Sequence, residues 1–127
     1  MQPTHATSDM GWAEARVGPE RIKGAYAWRT MLQSKVPLAF GSDFPVEEVD
    51  PLLGLEAAVH RGNWYLAERL TLDEAVAAFT TGAQFAADEQ PNERANVTVF
   101  DGKLTDDTIT KRKVFMTIID GEIVYSR

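Results

Sequence analysis

The carboxylate of Asp43 is the side chain with the clearest chemical potential in this sequence. It follows Gly41-Ser42, directly after an apolar run that starts at Val36. This pattern fits a buried strand that turns a carboxylate out at its C-terminal end, the edge where open α/β sheets and α/β barrels hold their chemistry. A carboxylate there can bind a metal ion or move a proton. Asp after Gly-Ser is also an ordinary turn or cap residue, and both interpretations stand at this point.

Such a carboxylate needs partners, and the rest of the chain supplies few; its histidines are His5 and His60. His5 lies in a polar stretch, where it either contacts a substrate or is simply solvated. Asp9 is either the partner of His5 or a turn cap. His60 is predicted in the last turn of a helix, where a positive charge suits the helix dipole, and it is assigned no function. The loop after Asp43 is acidic and is interpreted as solvated surface: Glu47, Glu48 and Asp50.

The elements that would position Asp43 begin with a helix and a strand. Residues 1–18 lack periodicity and are expected to be irregular. Apolar residues at helical spacing predict a helix from Pro19 to Ser34, with proline tolerated at its first position. The uninterrupted apolar run over Val36–Gly41 predicts a parallel strand that is covered on both faces.

Two further helices carry clear start signals. Asp50-Pro51 combines an N-cap oxygen with a proline at the first helical position, and Gly62 is placed to end that helix in a left-handed cap. Thr71 and Glu74 form a capping box at the start of a helix predicted over residues 72–88. Pro91 prevents this helix from continuing.

The last part of the chain is predicted to be β structure. Asn96–Phe100 reads as a strand. Asp120-Gly121 separates two β-rich runs, Val114–Ile119 and Glu122–Tyr125, which is a strong signal for a hairpin with a type I′ turn. A hairpin plus one strand leaves exposed edges and an uncovered face, so these parts look like pieces of something larger.

Composition excludes several classes of function. The chain has 127 residues, 44% of them hydrophobic, and a net charge of −6 without a Lys/Arg cluster. Nucleic acid and anionic membranes are therefore not expected as partners. The absence of cysteine excludes disulfides and thiolate metal sites. No apolar stretch approaches the ~18 residues of a membrane span, and the N-terminus lacks the pattern of a signal peptide, so a cytoplasmic location is expected.

Three segments, in this order and spacing, resemble the C-terminal end of a metal-dependent amidohydrolase: Gln2–Asp9, Ala39–Glu47 and Met116–Tyr125. The branch they resemble most includes the N-substituted formamide deformylases, and Gly24–Arg29 and Leu72–Ala75 fit it as well. The resemblance covers essentially the whole chain. Each motif is moderately specific, and the ordered set is specific.

The resemblance implies an α/β fold: the C-terminal fragment of an amidohydrolase TIM barrel plus part of a small β-sandwich with a C-terminal hairpin. Residues 1–90 would be the barrel segment and residues 91–127 the sandwich segment. Val36–Gly41 would be the last barrel strand. Asp43 would match the aspartate that touches the metal and handles the hydrolytic proton. His5 would face the active-site mouth and contact substrate.

The chain also departs from the family pattern. The family takes most metal ligands from a His-x-His pair, a bridging Lys or Glu and two more histidines on earlier strands, and these are not found here. A divalent metal, with zinc expected, therefore belongs to the intact family enzyme, and the chain alone could bind none. Before the sandwich strand, residues 91–96 are shorter than the family's Gly-rich segment and end in Asn rather than Asp.

Two functions follow from these observations. The first is part of a metal-dependent hydrolase that acts on non-peptide carbon–nitrogen bonds, with a small amide or formamide as substrate. The alternative is a non-catalytic amidohydrolase remnant that acts as an interaction or oligomerising module. Both predict an association: with a second copy of the chain, or with a missing N-terminal barrel portion.

Overall fold

The computed structural model describes residues 1–87 and 95–127. Its helices and strands, with four 3₁₀ turns between them, cover most of these residues. The helices are α1 (Pro3–Asp9), α2 (Ala13–Arg21), α3 (Trp28–Gln33), α4 (Pro51–His60), α5 (Leu72–Phe79) and α6 (Thr81–Ala86). The 3₁₀ turns are Ile22–Gly24, Arg61–Asn63, Leu66–Glu68 and Asp106–Lys111, and the strands are β1 (Val97–Phe100), β2 (Val114–Ile119) and β3 (Glu122–Ser126).

The first part of the chain differs from the sequence prediction. Residues 1–18, expected to be irregular, contain α1 and most of α2, and α1 starts with Pro3 at a first-turn position. The single helix predicted from Pro19 to Ser34 is broken. Gly18 has a non-helical φ of 84°, so Pro19 restarts the helix only briefly, and Tyr26 has a φ of 54° before α3 begins. These positive φ values cannot occur inside a right-handed helix.

The strand predicted over Val36–Gly41 does not form, and this prediction was wrong. The segment makes no regular ladder with a neighbouring strand among the described residues. The amide of Phe40 donates to the carbonyl of Ala78 (2.9 Å). On either side of Phe40, the amino group of Met1 donates to the carbonyl of Ala39, and the amide of Gly41 donates to the carbonyl of Met1. Leu38 and Phe40 are buried while their neighbours are not, so one face is covered rather than two. A parallel strand needs neighbours along its length, which this segment lacks.

The capping signals of α4 and α5 are confirmed. The Asp50 carboxylate accepts from the amide of Leu52 (2.9 Å). Thr71 and Glu74 form the expected capping box. The left-handed end of α4 comes one residue earlier than predicted, at Arg61 (φ 52°), and Gly62 continues it (φ 55°).

The helix predicted over residues 72–88 is interrupted. It ends at Phe79, and α6 follows after Thr80, whose φ and ψ of −115° and −90° are not helical. The hydroxyl of Thr80 donates to the carbonyl of Val76 (2.8 Å) and that of Thr81 to Ala77 (3.2 Å). Threonine hydroxyls compete in this way with the helix backbone. The predicted end at residue 88, Pro91 and the domain boundary at 90/91 lie outside the described residues.

The core lies between the helices and the segment that holds Leu38 and Phe40. Edge-to-face aromatic contacts connect the parts of this core: the ring centroids of Trp28 and Phe40 are 5.5 Å apart, and those of Phe40 and Phe79 are 5.6 Å apart. Edge-to-face pairs of this kind add to the stabilisation from area burial. The buried cluster consists of Ala6, Trp28, Leu38, Phe40, Leu52, Leu55, Ala58, Val59, Leu70, Ala75, Ala78 and Ile109.

The strands form one antiparallel sheet in the order β1-β2-β3. The predicted hairpin is confirmed, since Asp120 and Gly121 both have positive φ (50° and 82°) as a type I′ turn requires. The predicted strand from Asn96 to Phe100 forms as β1. A parallel sheet is not found in the described residues, so the barrel origin of the helical part stays a prediction at this point. Within the same residues no helix is long and apolar enough to cross a membrane. The cytoplasmic location stays a prediction from the sequence.

Candidate active site

The structure brings His5 and Asp43 together. His5 lies on α1, and Asp43 lies in the loop after the buried segment; the His5 Nε2 and Asp43 Oδ2 atoms are 3.7 Å apart. The Asp43 side chain is half exposed. Nε2 of His5 is buried and has no hydrogen-bond partner among the described residues. An imidazole and a carboxylate therefore lie side by side, with the carboxylate half exposed and the imidazole nitrogen that faces it buried.

The local backbone explains why the Asp43 carboxylate remains available. Asp43 has a φ of 61°, a conformation that Asp tolerates better than most residues. Its carbonyl accepts from the amide of Val46 (2.8 Å), and the hydroxyl of Ser42 accepts from the amide of Phe44 (3.2 Å). Asp43 is thus a turn residue through its backbone, as one interpretation held, while its side chain faces His5.

Two side-chain bonds hold α1 in place beside this loop. The Ser8 hydroxyl donates to Glu47 Oε1 (2.7 Å), and the Tyr26 hydroxyl donates to Asp9 Oδ2. Asp9 is therefore the partner of Tyr26 rather than of His5. Burial, followed by the bond to Asp9 and the charges of Asp9 and Glu47, raises the pKa of Tyr26 to about 12. Tyr26 remains a neutral donor at any physiological pH, so ionisation of its hydroxyl does not break this connection.

Arg61 supports Tyr26 from the core. It is fully buried, and its Nη1 donates to the carbonyl of Tyr26 (3.0 Å) while its Nε donates to that of Trp64 (3.0 Å). Its guanidinium carbon lies 4.4 Å from the ring centroid of Trp28, within range of a cation–π interaction. Burial lowers the pKa of Arg61, and the charge of Glu68 opposes that effect.

The remaining sequence candidates lie away from the pair. His60 is in the last turn of α4, as predicted. Its Nε2 is 2.9 Å from the carbonyl oxygen of Asp106 and 3.9 Å from Glu56 Oε1. Within the predicted acidic loop, Glu48 is exposed, whereas Asp50 caps α4 and Glu47 bonds Ser8. The loop is thus less uniformly solvated than its composition indicates.

The residues present do not make a complete metal site. A catalytic zinc ion has about three protein ligands, and the pair supplies two candidate donors. In residues 1–87 and 95–127, no group of three His, Asp or Glu side chains is arranged to hold a metal ion. Metal binding by Asp43 therefore stays an expectation from the family resemblance.

Comparison with known proteins identifies the class of this chain. It belongs to the amidohydrolase family, whose profile matches residues 1–125. The helical part and the small antiparallel sheet are consistent with a piece of such a protein. No solved structure matches the chain significantly.

Two relatives show how much of a family member the chain represents. "Putative amidohydrolase YtcJ" of Bacillus subtilis (strain 168) is 32% identical over an alignment of 148 residues, which covers 100% of this chain and 27% of YtcJ. "Protein LONG AFTER FAR-RED 3" of Arabidopsis thaliana is 33% identical over 94 residues, covering 68% of this chain and 16% of that protein. The chain thus spans about a quarter of YtcJ. Because the alignment with YtcJ is longer than the chain, YtcJ has residues within this region that the chain lacks.

Sequence reasoning missed two residues that hold the site together. Tyr26 was considered only as part of a predicted helix and of a segment that resembles the family, and Arg61 was assigned no role. No local sequence pattern indicates either role. A tyrosine and an arginine are usually exposed at their polar ends, and only the packed structure shows Arg61 buried against Trp28 and beneath Tyr26.

Proposed function

We propose that this chain forms part of a hydrolase that acts on the non-peptide carbon–nitrogen bond of an amide or formamide. The observation that carries the proposal is the His5–Asp43 pair, with 3.7 Å between Nε2 and Oδ2 and a half-exposed Asp43 side chain. Membership of the amidohydrolase family supports it, as does the name of YtcJ. The formamide-specific branch is the finer part of the proposal and rests on the sequence resemblance.

In this proposal Asp43 moves the proton. Its carboxylate accepts a proton from water as the water oxygen bonds to the carbonyl carbon. When the carbon–nitrogen bond breaks, Asp43 gives that proton to the departing nitrogen, so the products are a carboxylic acid and an amine. The half-exposed position of Asp43 lets water and substrate approach, and the turn at Ser42–Val46 fixes its direction.

His5 contacts the substrate in the same proposal. Its Nε2 atom and Asp43 Oδ2 are 3.7 Å apart, about van der Waals contact, so in this proposal a substrate approaches the pair from the half-exposed side of Asp43. Because Nε2 is buried beside Asp43, the exposed part of the His5 ring is the part that a substrate would contact. Metal dependence, with zinc expected, is proposed only for the intact family enzyme.

An activity assay with Asp43→Asn tests the proposal. The chain, expressed with any coding sequence that precedes Met1 in its gene, is predicted to hydrolyse simple amides or formamides. Asp43→Asn should lower kcat roughly 100-fold or more, since it removes the proton acceptor without changing shape. Asp107→Asn, which neutralises another exposed aspartate, serves as the control and should retain activity. Equal turnover by wild type and Asp43→Asn would rule out the proton-transfer role.

A second candidate is a non-catalytic module that associates with another copy of itself. The observation that favours it is the exposure of apolar strand residues, with Ile123 at 61% and Val124 at 56%. Exposed strands with apolar side chains recruit partners. Analytical ultracentrifugation would show a dimer or larger species. A compact monomer that binds no apolar dye would contradict this candidate.

A further inference from the structure

Two stretches of the chain run side by side at the candidate active site: residues 1–8, which contain most of α1, and residues 39–47, which contain the loop after the buried segment. Three contacts join them, in the same order along both stretches: Met1 with Ala39 and Gly41, His5 with Asp43, and Ser8 with Glu47. The imidazole and the carboxylate of the candidate site therefore lie between two connections, one on each side.

The second of these connections is the bond between Ser8 and Glu47. The Ser8 hydroxyl donates to Glu47 Oε1 at 2.7 Å, and a hydrogen bond to a carboxylate is stronger than one between neutral groups. Ser8 follows His5 by three positions on α1, and residues at this spacing share one face of a helix. On the loop, the carbonyl of Asp43 accepts from the amide of Val46, the neighbour of Glu47 (2.8 Å). Fixing Glu47 against Ser8 therefore also fixes Asp43 against His5.

The direction of the Glu47 side chain is the reverse of what the hydrophobic effect favours. Among residues 43–50, Glu47 alone is partly buried, and the others are exposed. The exposed residues include large apolar ones: Phe44 is 64% exposed, Val46 70% and Val49 63%. Turning a carboxylate inward while apolar side chains remain in water lowers stability. A local arrangement of this kind is typical of functional sites, where position matters more than stability.

The other side-chain bond at the end of α1 does not reach this loop. The Tyr26 hydroxyl donates to Asp9 Oδ2, which connects α1 to the segment before α3. Among the described residues, the bond between Ser8 and Glu47 is the one side-chain hydrogen bond that joins α1 to the loop after Asp43. The direction of the loop relative to α1 thus depends on Glu47.

We propose that Glu47 is a positioning residue for Asp43. Through its bond to Ser8, it keeps the Asp43 carboxylate beside the His5 ring. Without the Glu47 acceptor, only the two ends of the loop remain fixed, and the Asp43 side chain spends less time in this position. The effect on turnover rests on the proposed function, whereas the effect on the geometry of the pair does not.

Nuclear magnetic resonance of the chain, isotopically labelled at its histidines, tests the geometry without any reaction. Asp43→Asn removes a carboxylate 3.7 Å from His5 Nε2, so it should shift the ring resonances of His5. In a Glu47→Ala background, the same substitution should shift them by less than about half as much, because the two side chains are then less strongly coupled. Glu47→Gln keeps a side-chain oxygen that can accept from Ser8, and it should restore most of the shift. Glu48→Ala, which removes an exposed carboxylate of the same loop, is the matched control and should leave the shift unchanged.

Turnover and stability separate a positioning role from a merely structural one. In an assay of amide or formamide hydrolysis, Glu47→Ala should lower kcat roughly tenfold and change KM by less than about twofold, because the productive geometry is populated less often. Thermal unfolding of Glu47→Ala and Glu48→Ala should have the same midpoint, since the bond to Ser8 only offsets the cost of turning the Glu47 carboxylate inward.

Three results would overturn the inference: no shift of the His5 ring on Asp43→Asn, an undiminished shift in the Glu47→Ala background, or equal losses in Glu47→Gln and Glu47→Ala. Failure of the proposed function gives a different pattern. If Asp43→Asn leaves turnover unchanged while the shift still depends on Glu47, the hydrolytic role of Asp43 is refuted and the positioning role stands. If turnover requires Asp43 while neither kcat nor the shift depends on Glu47, the hydrolysis stands and the positioning role is refuted.

Discussion

The helical part of the chain, residues 1–87, and the β part, residues 95–127, differ in how much apolar surface they bury. Within the described residues, every member of the buried cluster except Ile109 lies in the helical part. The strands of the β part are mostly exposed, and large apolar residues such as Phe115, Ile123 and Val124 are 44–61% exposed. The helical part therefore has a core of its own, whereas the sheet shares little of it.

This difference shows where the stability and the candidate chemistry of the chain reside. His5 and Asp43 are fixed by elements that pack on the buried cluster, through Ala6 of α1 and Phe40 before the loop. Small sheets need a covered face to be stable on their own. The β part is anchored instead through Ile109, Phe100 and Leu104. The contrast predicts that substitutions in the helical part change stability much more than substitutions in the sheet.

The largest effect is expected for Trp28→Ala. Trp28 is fully buried and contacts Phe40, Tyr26 and Arg61. Its truncation should lower the free energy of unfolding by about 4 kcal/mol, because it leaves a large cavity. Ile123→Ala in the sheet should change it by less than about 1 kcal/mol. Urea unfolding followed by circular dichroism measures both changes. Similar losses of unfolding free energy in the two variants would contradict the difference between the helical part and the sheet.

A smaller effect is expected where α6 crosses the segment before the site. A Cβ atom on Gly82 would lie 2.0 Å from the carbonyl oxygen of Leu38, and backbone cannot rotate away. Gly82→Ala should therefore destabilise the chain by about 2 kcal/mol through overpacking. Gly24→Ala is the matched control, since its Cβ would meet nothing within 4 Å. Equal midpoints of thermal unfolding for the two variants would contradict the close contact between Gly82 of α6 and the backbone of Leu38.

The smallest effect concerns the ion pair between α3 and α5, and it depends on pH. Arg29 donates two bonds of 2.6 Å to Glu74, and these bonds are the main reason that the pKa of Glu74 falls from 4.5 to about 2. The stabilisation is fully present above pH 4.5 and is lost as the pH falls toward 2. Because both side chains are partly exposed, Glu74→Gln should cost only about 1 kcal/mol at neutral pH.

Unfolding curves measured between pH 5 and about pH 2 test whether the ion pair loses its stabilising effect as the pH falls. The stability difference between wild type and Glu74→Gln should shrink from pH 5 to about pH 2. Glu14→Gln, whose carboxylate is exposed on α2, provides the reference curve. A difference that stays constant or grows as the pH falls would show that the ion pair does not stabilise the folded state.

Features of the fold that depend on neighbouring residues alone could be predicted from the sequence. The Asp50 cap, the Thr71–Glu74 capping box and the Asp120-Gly121 turn each satisfy backbone groups or φ angles within four residues. Such geometry is nearly independent of the rest of the molecule. These predictions were confirmed for that reason.

Features that depend on packing could not be predicted. Helix α1 has no capping bond and is short, so packing against α4 rather than local sequence stabilises it. Apolar composition predicted a strand at residues 36–41, yet a strand also requires neighbours, which sequence composition does not report. The approach of His5 to Asp43 bridges 38 positions of the chain and was expected only through the family resemblance.

The position of Arg61 restricts how this core could be redesigned. A guanidinium keeps its charge under all ordinary conditions, so the charge must be accommodated where it lies. The faces of Trp28 and Trp64 and two backbone carbonyls accommodate it. Aliphatic replacements for either indole would be smaller and would leave the cation facing hydrocarbon. An all-apolar version of this core is therefore reachable only by changing the arginine and its aromatic neighbours together.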